Sequence, residues 1–177
     1  MGTTIVVIII VILAFFILEY NVCVGLRNKV KQSKSSIDVY LNQRFDLIPN
    51  LVECVKAYQL YEDRVLNELV EERNRYKNTK SVKEANTLNS NMMNIVVTAE
   101  SNPNIKASEP YKNLQSALVR MESQLQAARR IYNGDVTLYN TSIASFPRNI
   151  VASIFKFEYA ELFEIEEYKK TTINYIN

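Results

Sequence analysis

Thr3 to Leu18 reads TTIVVIIIVILAFFIL, a run without charge, proline or glycine that consists mostly of Ile, Val, Leu and Phe. A helix from Thr3 through Tyr20 rises roughly 27 Å at 1.5 Å per residue, just enough for the hydrocarbon core of a bilayer. The rest of the 177-residue chain is polar, charged and periodic. The sequence therefore reads as one membrane anchor joined to one water-facing body of about 150 residues, a size that suits a single domain with a modest core.

A cleaved secretory signal needs a basic start, a short apolar run and a small-residue cleavage site. Only Met1, Gly2, Thr3 and Thr4 precede this run, and Glu19-Tyr20-Asn21-Val22-Cys23 follows it. An uncleaved anchor fits better, with Tyr20 at the headgroup level where aromatic side chains are favoured. Arg27, Lys29, Lys31 and Lys34 come next, with no acid after them until Asp38. The positive-inside rule then places the body in the cytoplasm and the short N-terminus outside, a single-pass protein of the cell membrane. This flank reads first as a stop-transfer signal. Its attraction for anionic headgroups, about 1 kcal/mol per cation near the surface, is the secondary reading.

A net charge of +2 is too small for a nucleic-acid partner, which calls for a basic face. With Gly 3 and Pro 4, the chain has few places to turn sharply, which argues against an all-β fold and for a few long helices. Cys23 and Cys54 match neither a disulfide framework nor a metal spacing. Cys23 lacks a lipobox; acylation beside the membrane is one reading and an unmodified thiol is the simpler one.

Helical spacing runs through the body. Val22, Leu26, Val30, Ile37 and Leu41 share a stripe as far as Arg44, and Pro49 then predicts a kink or restart near Asp46 to Ile48, with Asp46 as the cap. Ile48, Val52, Val55, Tyr58, Leu66, Leu69 and Tyr76 form the apolar stripe of the next helix, with a gap near Glu62. Ser81-Val82-Lys83-Glu84 reads as a capping box that opens a helix through Ala85, Leu88, Met92, Ile95 and Ala99. Asn102-Pro103-Asn104 ends it. Ser108-Glu109-Pro110 starts the cleanest helix, Tyr111 to Phe146, with Gly134 either a weak point or a close helix contact. From Arg148 the tail alternates aromatic and acidic residues; a short helix and a docked extended segment both fit, and the last ten or so residues are expected to fray. The expected architecture is all-α, an N-terminal transmembrane helix followed by a long antiparallel helical bundle. Its parts are an anchor at 1–20, a juxtamembrane helix at 21–46, the bundle at 47–147 and a C-terminal segment at 148–177.

The chain has no histidine, which removes the commonest general base and the usual zinc ligand. No glycine-rich loop could cradle phosphates. Glu71-Glu72 and Glu166-Glu167 are adjacent, so on a helix their carboxylates diverge. Glu53 with Arg44 or Arg129 reads as a structural pair. No enzyme, cofactor or metal site is expected. The eleven tyrosines fall largely on apolar faces, where packing with the hydroxyl at a polar edge accounts for them.

Several stretches resemble the LemA family. They are Tyr20-Asn21 with Leu26-Arg27-Asn28; Ile37-Asp38-Val39-Tyr40-Leu41; and Arg44-Phe45-Asp46-Leu47-Ile48-Pro49-Asn50-Leu51-Val52-Glu53, the most distinctive. Further along are Asn104-Ile105-Lys106-Ala107, Ala128-Arg129-Arg130-Ile131-Tyr132-Asn133, Tyr139-Asn140-Thr141 and Phe146-Pro147-Arg148-Asn149. The resemblance runs from Ile5 to about Phe163. Glu122-Ser123-Gln124 departs from the family's Glu-Asn-Arg-like run, and Lys156 stands where a glycine is usual between two phenylalanines. The resemblance implies one N-terminal span and a helical bundle, with no established activity. Some relatives are associated with membrane-protein quality control or with specialised membrane compartments.

Arg44, Asp46, Asn50, Glu53, Arg129 and Arg130 are the candidate polar patch. They read either as register-setting pairs across the bundle or as a surface that a partner recognises. Two functions follow. One is a membrane-anchored, non-enzymatic scaffold or adaptor, with the lipid bilayer and another membrane protein or a second copy as partners. The other is a membrane-tethered sensor whose bundle groove, lined by tyrosines and methionines, binds an amphipathic or lipid ligand.

Overall fold

The computed structural model describes residues 1–163. Among them the chain is all-α, with seven helices and no strand: α1 (Gly2–Phe45), α2 (Ile48–Lys56), α3 (Asp63–Thr79), α4 (Val82–Ser101), α5 (Pro103–Ala107), α6 (Glu109–Ala144) and α7 (Arg148–Ile154). α1 runs 44 residues without a break. Its apolar stretch is exposed nearly all round, from Ile5 to Leu18. A helix that is hydrophobic on every side and that the protein does not cover belongs in lipid. Among the described residues it is the one helix long and apolar enough to cross a membrane.

The chain divides into two compact units. Unit 1 joins Met1–Lys34 to the residues from Arg129 onward; unit 2 is Ser35–Ala128. The core of unit 2 is continuous, from Phe45, Ile48, Leu51 and Val55 through Leu66, Leu69 and Tyr76 to Leu88, Met92, Ile95, Ile105, Tyr111 and Leu114. Most of these lie on the stripes that three- and four-residue spacing marks; Phe45, Leu51 and Ile105 are additions, and Val52 is only half-buried. In unit 1 the buried apolar set is Cys23, Val30, Tyr132, Val136, Tyr139, Ile143, Val151 and Ala152, with Ser33 and Ser142 buried as well.

Several local expectations are corrected. The stretch Ile48 to Tyr76 is two helices, because Gln59 takes a left-handed backbone (φ 53°) after α2 and Glu62 is extended before α3. Tyr58, in that turn, is exposed rather than part of the stripe. Asp46 does not cap α2; Leu47 occupies the cap position with no side-chain bond. Ser81 sits at the cap of α4 without a side-chain cap bond, and the Glu84 carboxylate accepts from the Thr79 hydroxyl instead of reaching back. Asn102 both follows α4 and caps α5, its Oδ1 accepting from the Asn104 and Ile105 amides. Phe146 lies beyond α6 and is exposed, and a Cβ on Gly134 would meet nothing within 4 Å, so that glycine makes no close helix contact. The tail is helical first, as α7, and then leaves the helix after Phe155 and Lys156, the latter left-handed (φ 53°). The fraying expected of the last ten or so residues falls outside the described residues.

Tyr111 shows how the core depends on pH. Its ring is fully buried, and its hydroxyl donates to the Val96 carbonyl at 3.2 Å. Burial, with the Glu100 charge adding to it, pushes the phenol from 10.0 up to about 12. The fold favours the neutral phenol, so this contribution is fully present below pH 10 and is lost as pH rises through about 12. Urea midpoints measured from pH 9 upward should fall between pH 10 and 12, and should fall less steeply in Tyr111→Phe. An identical slope in the two proteins would remove Tyr111 from the alkaline transition.

Candidate functional site

The turn between α1 and α2 concentrates charge. At the C-terminal end of a helix the last carbonyls lack intrahelical donors. Arg73 on α3 supplies one, its Nε donating to the Phe45 carbonyl at 3.0 Å while Nη2 meets the Asp46 carboxylate at 2.6 Å. Lys77, one turn on, pairs with the same carboxylate at 2.8 Å. The Lys77 hydrogen bond, and then that of Arg73, hold the Asp46 carboxyl below the usual range. Two cations at a helix C-terminus also oppose its dipole favourably. One residue earlier, Arg44 turns inward. Only 6 % exposed, it donates from Nη1 to Glu122 Oε2 at 2.5 Å and from Nη2 to Met93 Sδ at 3.2 Å.

The six residues of the candidate patch thus take different roles. Arg44 is buried against Glu122, and Asp46 serves Arg73 and Lys77. Within unit 2 the group that Arg44 meets is Glu122 rather than the anticipated Glu53, and Asp46 meets Arg73 and Lys77. Asn50 and Glu53 are exposed on α2. Arg129 and Arg130 belong to unit 1, where the Arg129 guanidinium lies 5.0 Å over the Phe163 ring and Arg130 is exposed. Glu122, Arg73 and Lys77 escaped the sequence reading. Glu122 had a signal, since it opens the Glu-Ser-Gln run that departs from the family pattern.

Unit 1 holds a second arrangement that the sequence did not disclose. α6 carries two Tyr-Asn pairs seven residues apart, Tyr132-Asn133 and Tyr139-Asn140. Asn140 exchanges two hydrogen bonds with the backbone of Ala160, Nδ2 to the carbonyl at 2.8 Å and the amide to Oδ1 at 2.9 Å. Asn133 does the same with Phe163, at 3.2 and 2.8 Å. The hydroxyls of Tyr139 and Tyr132 donate to the carbonyls of Glu158 and Glu161, each at 2.9 Å. Burial pushes both phenols up, so they stay protonated donors at neutral pH. Seven helical residues rise about 10.5 Å and three extended residues about 10 Å, so the two repeats match only if the segment is extended.

This segment starts at the end of unit 1 next to the apolar run. Arg148 of α7 donates to Glu19 Oε2 at 2.6 Å, one residue past the apolar run. Tyr20 packs on Phe155 and Phe157 with ring centroids 4.7 and 5.8 Å apart, and Arg27 lies 5.1 Å over Phe157. Lys29, Lys31 and Lys34 continue along α1 and are exposed. Cys23 is buried, and burial raises its thiol pKa, which keeps it in the unreactive thiol form. Of the tyrosines and methionines proposed to line a groove, Tyr76, Tyr111 and Met92 lie in the core of unit 2, whereas Met93 and Met121 are half-buried.

Similarity to known proteins follows the same outline. The model of the LemA family matches residues 33–175. Magnetosome protein MamQ 2 from Paramagnetospirillum magneticum is 33% identical over 70 residues, 40% of this chain and 26% of the relative. Magnetosome protein MamQ from Magnetospirillum gryphiswaldense is 28% identical over 69 residues, 39% of this chain and 25% of the relative. Protein LemA from Metamycoplasma hominis is 21% identical over 180 residues, covering 90% of this chain and 82% of its own. The matched stretch is thus about a quarter of the length of the MamQ relatives. Given the all-α fold, the exposed apolar helix and a family match over most of its length, the chain belongs to the LemA family and is a membrane-associated protein of that type.

Proposed function

We propose that this protein is a non-enzymatic scaffold that crosses the cell membrane once, N-terminus outside, and acts through protein partners at the cytoplasmic face. The observation that carries this reading is α1. Its first half is apolar and uncovered, and exposed Arg27, Lys29, Lys31 and Lys34 follow on the same unbroken helix. Lipid is the solvent for the first part, and cations prefer the cytoplasmic side. Protein partners are supported by large apolar side chains outside the span that the fold leaves exposed. Val97 and Val119 are such residues in unit 2; Ile131, Leu138, Ile150 and Ile154 are in unit 1. The LemA protein of Metamycoplasma hominis and the magnetosome MamQ proteins are consistent with a role tied to membranes.

The test uses the full chain and a variant with Ile9→Asp and Ile12→Asp. Each acid at the centre of a span costs about 2.5–3.5 kcal/mol, enough to release the chain from the bilayer. The native chain should fractionate with membranes and yield, after mild crosslinking and mass spectrometry, a specific membrane protein. The variant should appear in the soluble fraction without that crosslink. A native chain that crosslinks to nothing specific would remove the scaffold reading, and protease protection of the bundle in intact cells would have to agree with its placement inside.

A further inference from the structure

The Tyr-Asn pairs of α6 hold an extended segment of the chain along the helix in unit 1. The chemistry of this track is read from its occupant. Asn133 and Asn140 each offer a planar amide that pairs with a backbone amide and carbonyl at once, as a neighbouring strand would. Tyr132 and Tyr139 add a donor to the carbonyl two residues before each pairing. Every one of these bonds goes to main chain, so the track is blind to most side chains it holds. Selection enters only at the ends, where the guanidiniums of Arg27 and Arg129 cover the rings of Phe157 and Phe163, six residues apart.

The occupant is held through its main chain and through the rings of Phe157 and Phe163. Glu158, Tyr159, Glu161 and Leu162 point away and are exposed, Tyr159 to 68%. The occupant's advantage over a free segment with the same contacts is its covalent attachment, which gives a millimolar effective concentration. A free segment with the same two aromatic residues meets the same six side chains.

The direction of the track names where such a segment comes from. Its first residues pack on Tyr20, at the end of the apolar run, and its last reaches Arg129, farther along α6 from the membrane. A polypeptide that runs in the same sense leaves the bilayer at its N-terminal end. We infer that the track receives the stretch just after a transmembrane helix of another membrane protein, held extended by its main chain with two aromatic side chains six residues apart. This deepens the scaffold reading, and rests on it only for the source of the segment.

The test keeps the full chain in lipid nanodiscs and frees the track from its own segment. Proline has no amide hydrogen, so Ala160→Pro with Phe163→Pro removes both amides that the asparagines bind. The probe is a fluorescent peptide FKFEYAELF, the sequence of residues 155–163, read by anisotropy. The double-proline chain should bind it at least tenfold more tightly than the native chain. Adding Asn133→Leu and Asn140→Leu, or methylating the two backbone nitrogens of the peptide, should abolish that binding. No binding to the double-proline chain at 1 mM (about the concentration that tethering supplies), or equal binding by the methylated peptide, would overturn the track. A second pair of probes places FKFEYAELF after or before a synthetic leucine-alanine span. Binding of the first should exceed that of the second at least tenfold; equal binding, or the reverse order, would overturn the assignment to a segment that follows a span. Far-UV circular dichroism confirms that each variant retains its helices. The crosslinking experiment above judges the scaffold reading separately from these peptide results.

Discussion

Replacing Phe45 with alanine is expected to cost about 3–5 kcal/mol of stability in unit 2, a large share of the 5–15 kcal/mol typical of a domain. Phe45 is the last residue of α1 and is fully buried. Its ring meets Tyr76 edge-on with centroids 4.9 Å apart, a geometry worth about 1 kcal/mol beyond burial. Collapse around the cavity is hindered, because the backbone there is pinned from two sides: Arg73 holds the Phe45 carbonyl, and Pro49 fixes the first turn of α2. Urea unfolding of the detergent-solubilised chain, followed by tyrosine near-ultraviolet dichroism, gives the loss. Hydrogen exchange should place it in the amides of α3 and α4. A loss below about 1 kcal/mol, the level of a site that collapses easily, would show that the pinning does not hold.

Glu122→Ala should cost about 3 kcal/mol, because it leaves the Arg44 guanidinium buried without its counter-charge. The value sits at the low end of that range, since Glu122 keeps 34% of its side chain in contact with water, which screens the pair. Arg44 has little to fall back on: Met93 sulfur is a weak acceptor, and Nε is buried without a partner among the described residues. The double variant Arg44→Met, Glu122→Leu should recover most of the loss, since apolar groups of similar size carry no desolvation cost. If the double variant is as unstable as the single one, the defect is packing rather than charge. The outcome also divides the two readings of the motif. A recognition patch needs a reachable Arg44, whereas a register-setting pair needs a buried one.

What could be read in advance follows from how local each signal is. The apolar run, and the stripes of α4 and α6, repeat over many residues of one chemical type, so periodicity exposes them. The break after α2 hides because Gln59 takes a left-handed backbone without being glycine. Asp46 does not act as the expected cap because long cations arrive from another helix, Arg73 and Lys77 of α3. Arg44 and Glu122 lie 78 residues apart, and nothing in either neighbourhood specifies the other. The Tyr-Asn pairs were visible as family-like residues, but their role depends on the backbone of a segment whose side chains point elsewhere. Sequence patterns report side chains, and this contact is made almost wholly by main chain.

The hydrogen bond between Glu19 and Arg148 joins residues 129 positions apart. A ribosome adding 5–20 residues per second needs roughly 6–26 s to travel that distance. Glu19 emerges with the nascent apolar run, whereas unit 2 is a contiguous stretch that is complete before Arg129 is made. Unit 1 needs both ends of the chain. During synthesis the apolar run has therefore emerged and unit 2 is already available to fold while Glu19 still waits for its guanidinium. The unit that grips the extended segment is the last to close, and a chain truncated before residue 148 would keep its apolar run and unit 2 but leave unit 1 permanently open.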